Sequence, residues 1–192
     1  MKLMYKLSLP FFAVLLFLAA CGQEIEENMS RDVGEFSAIN EQGEEKSLED
    51  YQGQYWVADF IFTNCDTVCP PMTANMARLQ TMMEEEGIKD VQLVSFSVDP
   101  ENDDPEVLTE FGNKFQADFA NWDFLTGYDF DEIRQLSIKS FQSMLEEEPN
   151  SDQMMHGTRF YLVNPDGEAI KHYSGTESGS MEEILEDLKK TQ

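Results

Sequence analysis

Cys65 and Cys69, separated by three residues, stand where an apolar run gives way to a pair of prolines, in the stretch YWVADFIFTNCDTVCPPM from Tyr55 to Met72. A thiol pair at this spacing has two chemistries open to it. As thiolates the sulfurs can hold a soft metal ion, and as a dithiol they can exchange with a disulfide. Free cysteines are more often unrelated core residues, but in this setting the paired reading is the stronger one.

The order of residues implies a buried strand that delivers the thiols to the start of a helix. Pro70 and Pro71 suit a first helical turn, where a missing N–H loses no intrahelical partner. Cys69 is then expected beside free backbone N–H groups and the positive end of a helix, which favours its thiolate. After the cysteines, Met72, Met76, Leu79 and Met83 recur every three or four residues, so the helix runs to about Glu86 and ends at Gly87. A methionine stripe invites a copper reading, but its helical spacing fits core packing better.

Around this centre the chain reads as alternating strands and helices. Phe36–Ile39 and the segment leading to Leu48 flank Asn40-Glu41-Gln42-Gly43, a hairpin turn. Tyr51-Gln52-Gly53 turns into a central strand over Tyr55–Phe62, and Val91–Val98 is a second strand. Asp104-Pro105 caps a helix carrying Val107, Leu108, Phe111 and Phe115. Trp122–Leu125 is a short strand, and a further helical face carries Phe130, Ile133, Leu136, Phe141 and Met144. Glu146 to Asp152 reads as an acidic loop returning to the sheet. The strands Thr158–Val163 and Ala169–Tyr173 join through Asn164-Pro165-Asp166-Gly167. Ser180 and Glu183 form a capping-box pattern for a last helix with Ile184, Leu185 and Leu188. The sum is α/β, a mixed sheet with helices on both faces and an N-terminal hairpin extension. No repeat, nucleotide-binding glycine loop or zincin motif interrupts it.

The 192 residues hold one domain of ordinary size. Lys2 and Lys6 precede an apolar stretch from Leu7 to Ala20 that is short for a membrane span and has the charge pattern of a signal peptide. Its end, Leu18-Ala19-Ala20-Cys21, resembles a bacterial lipoprotein signal, which makes Cys21 a lipid anchor rather than a ligand. The expected organisation is a signal peptide over 1–20, a lipidated polar tether over 21–34 and one domain over 35–192. The domain then lies at the cell membrane on its extracytoplasmic face, where a cysteine pair is oxidised unless something reduces it. The formal charge is -25; without Lys2 and Lys6 it becomes about -27, from 11 basic against 38 acidic residues. Such a field repels nucleic acid and anionic headgroups and favours cationic or metal partners. A high-salt or alkaline habitat accounts for the same acidity.

Two further residues need a reason. Asp59 interrupts the apolar strand six positions before Cys65, and with Phe60 it resembles the Asp-Phe pair that thioredoxins carry at that distance before their first active cysteine. By that resemblance it could exchange a proton with a cysteine or orient water; the alternative is a structural hydrogen bond. His156 precedes the Thr158 strand. In thioredoxin-like folds the loop at that place packs across from the cysteines and ordinarily carries a cis proline, where this chain has His-Gly-Thr. An imidazole facing two thiolates suits copper or zinc, whereas soft sulfur disfavours magnesium and calcium. His172, in the outer strand of the last hairpin, is the weaker histidine candidate.

These residues together resemble the Sco/SenC proteins, thioredoxin-fold copper-handling proteins tethered at the membrane. The matching features are Thr63, Cys65, Cys69 and Pro70 in T-x-C-x-x-x-C-P, Ser97-Val98-Asp99-Pro100-Glu101, Phe124-Leu125-Thr126-Gly127, and His156 ahead of Thr158–Val163. Asn164-Pro165-Asp166-Gly167 also fits, and the blocks span about Phe36 to Leu188. Many members have Pro-Asp after the first cysteine; this chain has Asp66-Thr67, which moves the carboxylate by one place.

The resemblance implies a thioredoxin-like domain in which Cys65, Cys69 and His156 bind copper, as Cu(I) or Cu(II). It implies assembly of the dinuclear copper centre in subunit II of cytochrome c oxidase, by copper delivery, by reduction of that subunit's cysteines, or by both. The partners so implied are that subunit, a copper donor or thiol reductant, and the membrane through the lipid anchor. A metal-independent thiol-disulfide oxidoreductase is the alternative; the wider cysteine spacing and the missing proline stand against it. A thiol peroxidase fits less well, because the Pro and Thr expected before a peroxidatic cysteine are replaced by Ala58 and Phe62, or by Phe62 and Asp66. The Glu146 to Met155 loop is expected to dock a partner or gate the site.

Overall fold

The computed structural model describes residues 24–149, 151 and 153–192, so the segment expected to be a signal peptide and the expected anchor Cys21 lie outside the described residues. In chain order the elements are β1 (Arg31–Asp32), β2 (Ser37–Asn40), β3 (Glu45–Ser47), a 3-10 turn (Leu48–Tyr51), β4 (Tyr55–Ile61), α1 (Cys69–Glu86), β5 (Val91–Ser97) and α2 (Pro105–Lys114). They continue with β6 (Trp122–Thr126), α3 (Phe130–Phe141), β7 (Leu145–Glu147), β8 (Met154–His156), β9 (Arg159–Val163), β10 (Glu168–Ser174) and α4 (Gly179–Lys189).

Eight strands form one mixed sheet in the order β1-β10-β9-β4-β5-β6-β2-β3. β4 and β5 are central and nearly all buried, which is why they read as continuous apolar runs. Parallel pairing sets Asp59 beside Ser95 beside Phe124, and on the other face Phe60 beside Phe96 beside Leu125. α3 covers the Phe60 face, where Phe141 meets Trp56, Phe60, Phe96 and Tyr161. α2 covers the Asp59 face, where Phe111 meets Phe124. This is the mixed α/β, thioredoxin-like architecture that the sequence implies, with the β2–β3 hairpin added at one rim.

Local signals explain most boundaries. Asp104 Oδ1 accepts from Val107 N at 2.9 Å and opens α2. The left-handed Gly87, with φ of 76°, closes α1. Met72, Met76, Leu79 and Met83 are fully buried, so the methionine stripe is core.

Four features differ from the sequence reading. Glu146 and Glu147, read as the start of an acidic loop, belong to a separate two-stranded hairpin, in which Leu145 pairs with His156 and Glu147 with Met154. Met144 is 59% exposed and lies outside α3, because left-handed Gln142 ends that helix two residues earlier. The last helix starts one residue before Ser180; Ser178 is its N-cap without a side-chain cap, and Ser180 is buried in the first turn, so no capping box forms. The described end of the polar N-terminal segment is docked: β1 pairs with β10, and Asn28 N and Met29 N both donate to Ile170 O at 3.1 Å.

Candidate metal centre

β4 ends at Ile61, and the turn that follows brings Cys65 N to Phe62 O at 3.3 Å. Cys69 is the first residue of α1 and is fully buried, and Cys65 is 6% exposed. The N-cap of α1, Val68, has no side chain able to accept a hydrogen bond. Cys65 Sγ fills that role by accepting from Cys69 N at 3.4 Å. Both cysteines are free thiols.

His156 comes from the β7–β8 hairpin, 87 residues along the chain. Its Nε2 lies 3.3 Å from Cys69 Sγ, and its Nδ1 lies 3.0 Å from Gly157 O. A carbonyl oxygen only accepts, so this contact places a ring proton on Nδ1 and leaves Nε2 as the nitrogen that faces the sulfurs. The edge-on contact with Phe62, 5.8 Å between ring centres at 85°, fixes the ring plane. The hairpin is also tied to the cysteine loop by Gln153 Nε2, which donates to Asn64 O at 3.1 Å.

The ligand atoms of Cys65, Cys69 and His156 lie within 4.8 Å of one another. Two sulfurs and one imidazole nitrogen form a soft donor set with room for a further ligand, the chemistry of copper or zinc. His172 is on β10, opposite Tyr161, and is not part of this group. A mainly apolar cavity of about 500 Å³ between α3 and the Gly34–Ser37 segment is lined by none of the three residues.

The two thiols are electrostatically unlike. Burial pushes the Cys65 thiol up, but hydrogen bonds from His156, Cys69 and the backbone N–H groups of Cys69 and Thr67 outweigh it and bring it down to about 6. Burial pushes the Cys69 thiol far up, and the neighbouring Cys65 and Asp59 add to the effect. This reverses the expectation that the helix start would favour a Cys69 thiolate. The N–H at that position serves the Cys65 sulfur instead, while the Cys69 sulfur is the more deeply buried.

Asp59 is fully buried on β4. Its Oδ1 accepts from Ser95 Oγ at 2.6 Å, and Oδ2 has no partner. Burial pushes its carboxyl up to about 7, against the opposing effects of the Ser95 bond and the His156 charge. It forms no hydrogen bond to either cysteine, so its influence on Cys69 is electrostatic. The Thr67 hydroxyl lies 4.0 Å from Cys65 Sγ, at the place where the sequence departs from the Pro-Asp pattern.

Sequence reasoning missed Asp103 and Gln153. Asp103 is fully buried and accepts from Thr63 at the start of the cysteine loop. The only signal for it was a second Asp beside the helix-capping Asp104.

Comparisons with known proteins agree with this geometry. A solved SCO1/SenC family lipoprotein from Bacillus anthracis is 46% identical, with a TM-score of 0.80, covering 85% of this chain and 98% of that one. BsSco, described as a member of the Sco family of cytochrome c oxidase assembly proteins in which a disulfide switch was identified, is 45% identical with a TM-score of 0.80. That match covers 88% of this chain and 97% of that one. ScoI from Arabidopsis thaliana, solved with copper bound, is 26% identical with a TM-score of 0.67, covering 82% and 96%. The family model described as SCO1/SenC matches residues 25–192, across both cysteines, the histidine and every described strand and helix, and the chain belongs to that family.

Proposed function

We propose that this protein binds copper through Cys65, Cys69 and His156 and acts in assembly of the dinuclear copper centre of cytochrome c oxidase subunit II. The observation that carries the copper reading is the convergence of two sulfurs and one imidazole nitrogen, from segments 87 residues apart, within 4.8 Å. The reported copper-bound relative and the relative described among oxidase assembly proteins support it. Cys21 is the lipid anchor in this reading, which the relative described as a lipoprotein supports.

The chemistry follows from the donors. Cu(I) is satisfied by the two sulfurs, and Cu(II) gains more from the imidazole nitrogen and an added oxygen ligand. Oxidising Cys65 and Cys69 to a disulfide removes both thiolates, so metal affinity is coupled to the redox state of the pair and, through deprotonation, to pH.

The lowered Cys65 thiol also favours a second activity, reduction of a client disulfide. The Cys65 thiolate attacks one sulfur of the disulfide and releases the other as a thiolate. Cys69, once deprotonated, then attacks the mixed disulfide at Cys65 and releases the reduced client.

The test is copper titration of the reduced protein, read by absorption and paramagnetic resonance and repeated on the disulfide form and on His156→Ala. One equivalent held through sulfur and nitrogen and lost on oxidation is the expected result. His156→Ala is expected to weaken Cu(II) more than Cu(I). No tight binding by the reduced protein, together with fast turnover of a disulfide substrate, favours the metal-independent oxidoreductase.

A further inference from the structure

We propose that Asp103 is a positioning residue for the metal centre, which holds Thr63 and through it keeps Cys65 at its place when the site is empty. The inference rests on the copper reading and adds a residue from a loop that supplies no ligand.

Asp103 lies between β5 and α2, 40 residues from Thr63, and is fully buried. Its Oδ1 accepts from Thr63 Oγ1 at 2.5 Å. Its Oδ2 accepts from Thr63 N at 3.2 Å and from Ser97 Oγ at 2.6 Å. The loop that carries it is itself pinned: Asp103 N donates to Asp99 O at 2.9 Å, and Asp99 N donates to Ser97 Oγ at 3.1 Å. The carboxylate is therefore a fixed post standing on the end of β5. Thr63 opens the turn that presents Cys65, and on the other flank Gln153 holds the carbonyl of Asn64. The cysteine loop is thus gripped at two successive residues, by one partner on the body of the protein and one on the hairpin that carries His156.

A buried carboxylate is costly unless several donors serve it, and bonds to it are stronger than those between neutral groups. Thr63 could have been held by a backbone carbonyl or a neutral amide. A charged post makes the turn stiffer, so less of the metal-binding free energy goes into ordering the loop. Asp103 touches neither sulfur, and its effect passes through Thr63.

The experiment uses the full chain in detergent. Copper is loaded and its release to a chelator is followed on the sulfur-to-copper absorption band, for wild type, Asp103→Asn, Thr63→Val, the double variant and Thr63→Ser. Asp103→Asn and Thr63→Val are each expected to release copper roughly tenfold faster, the change expected from one charge-assisted hydrogen bond. The double variant is expected to be much less impaired than the product of the two, because both remove the same contact. Thr63→Ser keeps the hydroxyl and is expected to restore a rate near wild type. Wild-type release rates in both single variants, or effects that simply multiply, overturn the proposal. Thr63→Val removes one hydroxyl only, so the test stands even if Asp103→Asn folds poorly. Should the wild type take up no copper, the copper reading fails by itself. The metal-free dithiol–disulfide equilibrium against glutathione then decides on positioning: a shift shared by Asp103→Asn and Thr63→Val but not Thr63→Ser supports it, and no shift overturns it.

Discussion

Asp59→Asn should change the pH dependence of stability of the reduced, copper-free protein in a direction that the fold dictates. In the folded state the carboxyl sits in the sheet with one oxygen unpartnered, and burial raises it from 3.8 to about 7. Between those values the folded chain holds a proton that the unfolded chain has released. Stability therefore falls as pH rises through this window, and the contribution is fully lost above about 7. The gap between 3.8 and about 7 corresponds to about 4 kcal/mol. Asparagine cannot ionise, so the variant escapes that loss. It carries its own pH-independent cost, since its amide nitrogen faces the place where Oδ2 had no partner. The quantity to compare is thus the difference between variant and wild type at pH 4 and at pH 8, from urea unfolding under reducing conditions. The variant is expected to gain about 4 kcal/mol relative to wild type between these pH values; Cys65 enters both proteins alike, and Cys69, whose thiol burial pushes far up, stays protonated in both. A difference that is the same at both pH values refutes the reasoning, since it would mean that Asp59 ionises as readily in the fold as in the unfolded chain.

Three further outcomes follow from the site. At pH 7 a thiol with a pKa of about 6 is about nine-tenths thiolate, so limiting iodoacetamide is expected to label Cys65 before Cys69, and peptide mass spectrometry showing Cys69 labelled first contradicts the assignment. His156→Ala removes the strongest hydrogen bond opposing the burial of Cys65 and is expected to move its thiolate absorbance titration upward by about one to two pH units; an unmoved titration counts against the imidazole as the source. Gly175→Ala would place a methyl group 2.9 Å from Thr158 O and 3.1 Å from Met72 Cε, between the strand after His156 and the helix after Cys69, and is expected to cost about 1–3 kcal/mol in urea unfolding.

Much of the centre was legible because its signals are local. An apolar run, a polar turn and two prolines mark β4, the loop and the start of α1 within eighteen residues. Asp104 caps the next helix as its position beside Pro105 implies. His156 was reachable only by resemblance, since its partners are 87 residues away. What the sequence concealed depends on depth and long-range contact. Which thiol ionises follows from Cys69 being buried under the sheet while Cys65 Sγ takes its N–H, and neither fact has a sequence pattern. The β7–β8 ladder pairs Leu-Glu-Glu with Met-Met-His, which shows no alternation and no strong turn dipeptide between the strands. The docked segment around β1 looked like a tether because its few apolar residues, Ile25, Met29 and Val33, have no helical or strand period.

The two rims of the large sheet also restrict how another molecule can approach. At one rim β1 and the side chain of Asn28 occupy β10: Asn28 Nδ2 donates to His172 O at 3.0 Å and its Oδ1 accepts from His172 N at 2.9 Å, as a neighbouring strand would. At the other, β3 is three residues long and carries Glu45 and Lys46. Short, charged or already occupied edges are poor templates for adding a strand. Copies of this protein crowded on a surface should therefore resist zipping together into larger sheets. A visitor that meets the loops beyond β4 and β5 is therefore selected there by side chains rather than by pairing with an edge of the large sheet.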